Sequence, residues 1–325
     1  MSSNAILVIF FLSYGLYAYY NNFKFWIIYI FFIIIYYFIT AFKLYTHRQT
    51  NISKKINYTS WSNNYDPQTY TTIKLDITKI IPYLKQKSEE IKVHLTPTIF
   101  SVKLMSIILK KYPEVYGFIK FGRYDTKEGV DICCLVEVGD GKELANTTIS
   151  DCETKNFVQI TNELNQSVKL LRERKNKDQN FKMKIFKFIP TFITGPFIQI
   201  VGYLSSIGLR IDAVGLKRFE FGSCVITSLG KLDIDNSFAP IPPLTFAPIL
   251  LTLCSKFSVN KKDEEGNIET KTYLRMNFTS DYRFFEPKIV SSIIKDIHLI
   301  GEDPIKFEEE AKKYEKNVNY LIKLF

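Results

Sequence analysis

Two long uncharged stretches open the chain, Ala5 to Tyr20 with 16 residues and Phe25 to Phe42 with 18, and Lys24 is the only charge in residues 1–42. A helix needs about 20 mostly apolar residues to cross a bilayer core. Residues 1–45 therefore read as a transmembrane anchor: a helical hairpin of two short spans is the preferred drawing, one long tilted span the alternative. Tyr17, Tyr19, Tyr20, Trp26, Tyr36 and Tyr37 suit the interfacial belts of such a segment. Lys43, Arg48, Lys54 and Lys55 follow before the first acid, Asp66, so the positive-inside rule leaves the downstream part on the cytosolic side as the soluble domain of an integral membrane protein. A cleaved signal peptide followed by one span is the weaker reading, because no basic leader and no small-residue cleavage pattern are present. Sequons at Asn51, Asn57, Asn146, Asn165 and Asn277 carry no luminal signal in a chain this rich in Asn, Ser and Thr.

Beyond residue 42 the chain holds 42 basic against 33 acidic side chains, within a formal net charge of +10. Such a surface attracts anionic lipid, nucleic acid or a polyphosphate-bearing small molecule, and charge alone does not choose among them. No motif of basic residues interleaved with aromatics points to nucleic acid. The five cysteines, Cys133, Cys134, Cys152, Cys224 and Cys254, form no C-x-x-C pair and are odd in number, so neither a zinc site nor a disulfide scaffold is indicated. Reduced, buried thiols and no metal are expected. Only three histidines exist, His47, His94 and His298, which limits the available acid–base chemistry.

Residues 46–75 are polar and read as a linker. A helix is expected over 76–92, with Pro82 tolerable only near its first turn. Thr96 and Pro97 then cap and open a second helix, apolar on nearly all sides from Ile99 to Leu109 and so meant for burial against a sheet. Gly129 to Val138 reads as a strand, Asn156 to Lys175 as an amphipathic helix, and three further strand-like runs lie between 222 and 280. Helices and strands mix without βαβ alternation, which favours an α+β sandwich. Phe186 to Leu209 follows a basic run and reads as a buried segment, with contact to a membrane surface as the alternative. Residues 306–325 place Phe307, Ala311, Tyr314, Val318, Leu321 and Phe325 on one stripe of an amphipathic C-terminal helix, with Glu308–Lys312 and Glu309–Lys313 as pairs four apart.

Four segments, "HLTPTIFSVKLMSIILKKYPEVYGFI" at 94–119, "VDICCLVEV" at 130–138, "FGSCVITSLGKLDIDNSFAPIPPLTFAPILLTL" at 221–253 and "NFTSDYRFFEPKIVSSIIKDIHLIGEDP" at 277–304, come in a familiar order and spacing. Over residues 76–305 the chain resembles the catalytic domain of the dihydrolipoamide acyltransferases of 2-oxo-acid dehydrogenase complexes, and most of all stand-alone members without a lipoyl domain. The resemblance implies a chloramphenicol acetyltransferase-like sandwich, a mixed sheet covered by helices. It also implies coenzyme A or acyl-coenzyme A as the small-molecule thioester, and a homotrimer with active sites between subunits.

The family signature is D-H-R-x-x-D-G, whose His is the general base toward the thiol. Asp281 and Arg283 keep their places here, while Tyr282 stands at the His position, Glu286 at the Asp position and Pro287 at the Gly position. Thr227, in "ITSLG", occupies the place of the serine that donates to the oxyanion and keeps its hydroxyl. A phenol with a pKa of about 10 is protonated at neutral pH and cannot take a thiol proton as imidazole does. The sequence thus points to a membrane-anchored, acyltransferase-like protein with lost or weak chemistry, a pseudoenzyme with a binding or scaffolding role. An active coenzyme A-dependent acyltransferase with a modified site is the alternative.

Overall fold

The computed structural model describes residues 67–120, 122–138, 143–173, 200–209, 219–241, 245–262 and 268–315, together with Ile30, Phe31, Ile34 and Ile35. The expected anchor at 1–45 lies outside the described residues apart from those four, which are helical. Among the described residues no helix is long and apolar enough to cross a membrane.

The centre of the fold is a six-stranded mixed sheet in the order β1-β8-β7-β6-β4-β5. Its strands are β1 (Gln68–Asp76), β4 (Ile132–Val138), β5 (Glu143–Ile149), β6 (Cys224–Ser228), β7 (Ile249–Lys262) and β8 (Ile268–Asp281). A small separate hairpin is made of β2 (Phe118–Lys120) and β3 (Arg123–Asp125). The β4–β6 and β6–β7 pairs are parallel, the others antiparallel. This is the expected α+β architecture with a mixed sheet.

Residues 68–75, read as the end of the linker, instead form β1 and pair along their whole length with β8. The run "QTYTTIKLD" is rich in Thr and Tyr, which favour strands, but its half-solvated edge position keeps the sequence polar. The next helix consequently starts later than expected: α1 runs Ile80–Ile91, with Pro82 in its first turn.

Helix α2 (Pro97–Lys111) follows the sequence reading closely. Thr96 Oγ1 accepts the N–H of Ile99 at 3.3 Å, Pro97 takes the first position, and Ile99 to Leu109 are all buried. Helix α3 (Phe157–Arg172) opens with a capping box between Asn156 and Gln159. With α4 (Pro287–Gly301) and α5 (Pro304–Tyr314), these helices cover one face of the sheet. Ile226, Leu251, Met276 and Phe278 meet Phe100, Leu104, Ile293, Ile297 and Phe307 in one core. Gly301 is required at the end of α4, since a Cβ there would stand 2.9 Å from Leu104 Cδ2 and 3.0 Å from Leu75 Cδ1.

The described part of the C-terminal helix, α5, buries Phe307 and Ala311 and packs Tyr314 against the core, as the stripe predicts. Glu308 pairs with Lys312 at 3.6 Å, whereas Lys313 turns to Glu310 rather than Glu309. Residues 316–325 lie outside the described residues. Lys103 of α2, 1% exposed, fixes the end of this helix: its Nζ donates to the carbonyls of Glu153 at 3.1 Å and Lys155 at 2.6 Å and pairs with Glu315 at 3.1 Å.

All five cysteines are free and buried. Burial pushes the Cys133 and Cys152 thiols up to about 12, and Cys134 also rises well above the ordinary thiol range. The thiolate is the reactive form. A disulfide-exchange reagent added to the native protein is therefore expected to titrate none of the five promptly and all five after denaturation; rapid reaction of even one native thiol would contradict the packing.

Candidate functional site

Strand β8 ends at Asp281, and the chain turns at once into the loop that carries the altered signature. Asp281, 5% exposed, grips Arg283 with both carboxylate oxygens: Nε lies 3.0 Å from each, and Nη2 bonds to Oδ2. The backbone N–H of Arg283 also donates to Oδ1 at 2.9 Å, and those of Phe284 and Phe285 donate to the Asp281 carbonyl. Tyr282 is held by its own N–H, which donates to the Pro67 carbonyl at 2.7 Å. The two retained residues of the signature thus set the shape of the turn, and the altered residue is carried on a fixed backbone.

Glu286 and Pro287 start α4. Glu286 is the N-cap residue in extended conformation, without a side-chain capping bond, and Pro287 takes the first helical position. Proline costs nothing there, since its missing N–H would have no partner in the helix. Pro287, at the family's Gly position, thus forms part of an ordinary helix start. Glu286 Oε1 is buried and has no hydrogen-bond partner among the described residues.

Thr227 lies elsewhere. It is the fourth residue of β6, 8% exposed, and its register partner on β7 is Thr252, which in turn faces Asn277 on β8 and, beyond it, Thr72 on β1. These four polar residues form one row across the sheet, on the face away from the helices. Tyr282 stands five residues past Asn277, so roughly 17 Å along the sheet and about two strand spacings of 4.8 Å across it separate the two expected site residues. Within a single chain they cannot touch one substrate atom.

Among the described residues no histidine lies in the turn that carries Tyr282. His94 is exposed after α1, and His298 sits in the last turn of α4, where its Nδ1 lies 2.7 Å from Glu302. His47 lies outside the described residues. Among the described residues no group of three His, Cys, Asp or Glu side chains is placed to hold a metal.

Residues 45–187 match the family described as 2-oxoacid dehydrogenases acyltransferase (catalytic domain). Over those residues the chain is similar to the 2-oxoacid dehydrogenase acyltransferase family. Over 106 residues it is 35% identical to the dihydrolipoyllysine-residue succinyltransferase component of the 2-oxoglutarate dehydrogenase complex of Staphylococcus saprophyticus, a stretch covering 31% of this chain and 24% of that protein. The chain thus spans about a quarter of the length of the curated relative it matches. Two solved structures share this fold. The dihydrolipoamide acetyltransferase of Azotobacter vinelandii, investigated for the role of a serine, a histidine and an asparagine in its catalytic mechanism, has a TM-score of 0.55 at 16% identity, covering 79% of this chain and 91% of its own. A probable dihydrolipoamide acetyltransferase of Listeria monocytogenes has a TM-score of 0.54 at 14% identity, covering 83% and 95%. The family match ends before Thr227 and Tyr282, and that part of the chain is similar to the two solved structures in fold alone.

Three features of the domain escaped sequence reasoning. Thr252 gives no sign in "ILLTLC", because only strand register sets it beside Thr227. Asn277, one of the five sequons, is wholly buried, and its Nδ2 donates to Asn236 Oδ1 and the Ser237 carbonyl, each at 2.7 Å. It is a structural amide, not a surface glycan acceptor. The separation of Thr227 from Tyr282 was likewise invisible without the sheet order.

Proposed function

We propose that this chain is a membrane-anchored protein whose acyltransferase domain binds a coenzyme A thioester but has lost, or keeps only weakly, the acyl-transfer chemistry, and that it acts as a binding or scaffolding module. One observation carries the reading: the position of the family base holds Tyr282, fixed by its backbone on an intact Asp281–Arg283 turn, with no described histidine near it. The turn is preserved and the proton acceptor is not. The separation of Tyr282 from Thr227 supports a homotrimer, in which the turn of one subunit faces the Thr227 row of the next. The apolar stretches at 5–20 and 25–42 and the basic flank at 43–55 support the anchor, with the domain on the cytosolic side.

The binding half of this reading is tested by titrating acetyl-coenzyme A into the full chain in detergent and following heat. Saturable binding at one site per chain is expected, and no binding would overturn it. Carbonate washing of membranes should leave the full chain in the pellet; recovery in the supernatant would refute the anchor.

The second reading, an active coenzyme A-dependent acyltransferase, is favoured by the buried and unpartnered Oε1 of Glu286, an oxygen that could receive a proton. In that case Glu286→Gln would abolish a measurable transfer activity of the natural chain.

A further inference from the structure

The chain enters the sheet at a pinned point. The Pro67 carbonyl accepts the N–H of Tyr282 at 2.7 Å, and Gln68, the first residue of β1, binds Ile241 twice, donating to its carbonyl at 3.2 Å and accepting its N–H at 2.8 Å. Gln68 stands opposite Asp281 in the register, so the entry point and the altered signature share one end of the sheet. In the sequence, residues 43–66 join this end to the apolar stretch that closes at Phe42.

The same end exposes two aromatic rings. Residues 235–241 cross the helix-free face of the sheet as a strap, held by Asn277, which donates to the Ser237 carbonyl at 2.7 Å, and by Thr279, which donates to that of Ala239 at 2.9 Å. The strap carries Phe238, 41% exposed, edge-on to Tyr70, 45% exposed, with ring centroids 5.7 Å apart. Neither ring belongs to the core, and an aromatic body with a wet phenolic tip suits the boundary between lipid and water. The far end of the sheet is built differently. Eight residues along β8 from Thr279, roughly 26 Å away, Lys271 pairs in register with Val259 on the projecting arm of β7 and β8. The stacked rings of that arm, Phe257 and Tyr273, are capped by the cations of Arg275 and Lys261. Residues 256–271 hold four lysines and four acids, so the arm combines dense charge with no net attraction for a lipid surface.

We propose that the end of the domain bearing Pro67, Tyr70, Phe238 and the Tyr282 turn is its membrane-facing surface, with Tyr70 and Phe238 seated in the headgroup layer of the bilayer that holds residues 1–45 and the arm of β7 and β8 pointing away. This rests on the membrane-anchor reading above. The anchor and the aromatic pair act at the same end, so each lowers the cost of the other: the tether keeps the rings near lipid, and the rings fix the orientation of the tethered domain. A three-fold assembly sets its three entry points at one height along the axis, so all three chains meet one bilayer in the same way.

The test uses the full chain reconstituted in phosphatidylcholine vesicles, with an environment-sensitive fluorophore on Phe238→Cys or, as control, on Val259→Cys; the five natural cysteines are buried. Emission from position 238 should shift to shorter wavelength and should fall by at least about half when the vesicles contain spin-labelled phosphatidylcholine, because interfacial side chains sit roughly 5–10 Å into the headgroup and acyl boundary. Position 259 should show neither change. Tyr70→Cys replaces Phe238→Cys if the latter lowers the melting temperature. Absence of quenching at 238 overturns the proposal, as does equal quenching at 238 and 259. A shift at 238 without quenching would put a second copy of the chain over the aromatic pair and overturns it as well. Failure of the natural chain to float with the vesicles sinks the anchor reading and this proposal with it, whereas flotation without quenching sinks this proposal alone.

Discussion

Restoring the signature with Tyr282→His, Glu286→Asp and Pro287→Gly together is expected to raise thiol-dependent acyl transfer by at least about a hundredfold over the natural chain, the lower end for a positioned general base. The turn is ready to receive the ring, because the Asp281–Arg283 grip and the bond from the residue 282 N–H to Pro67 do not depend on the side chain at 282. Tyr282→His alone should gain little. Glu286 makes no hydrogen bond through its buried Oε1, so nothing on the natural loop would orient a new imidazole. Pro287→Gly gives up a favourable helix start, at a cost of about 1 kcal/mol or less, which the domain should tolerate. The check is the steady-state rate of acetyl transfer from acetyl-coenzyme A to dihydrolipoamide in the three proteins. A triple variant that folds, binds coenzyme A and shows no gain would mean that the pocket has been rebuilt for another ligand.

Phe307→Ala should be the most damaging single substitution in the C-terminal helix. Phe307 is 1% exposed and its ring centroid lies 4.9 Å from that of Phe100, 5.7 Å from Phe157 and 6.3 Å from Tyr83, so this one side chain packs α5 against α1, α2 and α3 together. Truncation of a buried phenylalanine costs about 3–5 kcal/mol, which for a domain of this size lowers the melting temperature by on the order of 10 °C. Ile305→Ala, on the same helix but 71% exposed, serves as the control and should change stability by no more than about 0.5 kcal/mol. Equal melting curves for the two variants would show that α5 does not dock as described.

What the sequence reveals about this fold depends on how one-sided each element is. Helix α2 was legible to the residue because its signals agree: the Thr96 cap, Pro97 and eleven successive buried positions from Ile99 to Leu109. Strand β1 was not, since an edge strand that alternates Thr and Lys with Ile and Leu looks like a linker until β8 supplies its partner. The outer half of β7 escaped for a similar reason: beyond the irregular register between Leu253 and Lys256 it projects with exposed residues such as Val259, and no core-facing pattern marks it. For the candidate site, identity was readable and geometry was not. Tyr282, Glu286 and Thr227 could be picked out from local motifs. Their separation, the Thr227–Thr252 pairing and the strap above it depend on strand order, which joins residues far apart in the chain.

The most direct measurement is the effect of Tyr282→Phe on the full chain in detergent. If the phenol is no base, removing its hydroxyl should leave both acetyl-coenzyme A affinity and the rate of acetyl transfer to dihydrolipoamide where they are in the natural protein. A loss of transfer by about a hundredfold or more, the size expected when a working general base is removed, would show that Tyr282 carries the chemistry and that the domain is an active enzyme.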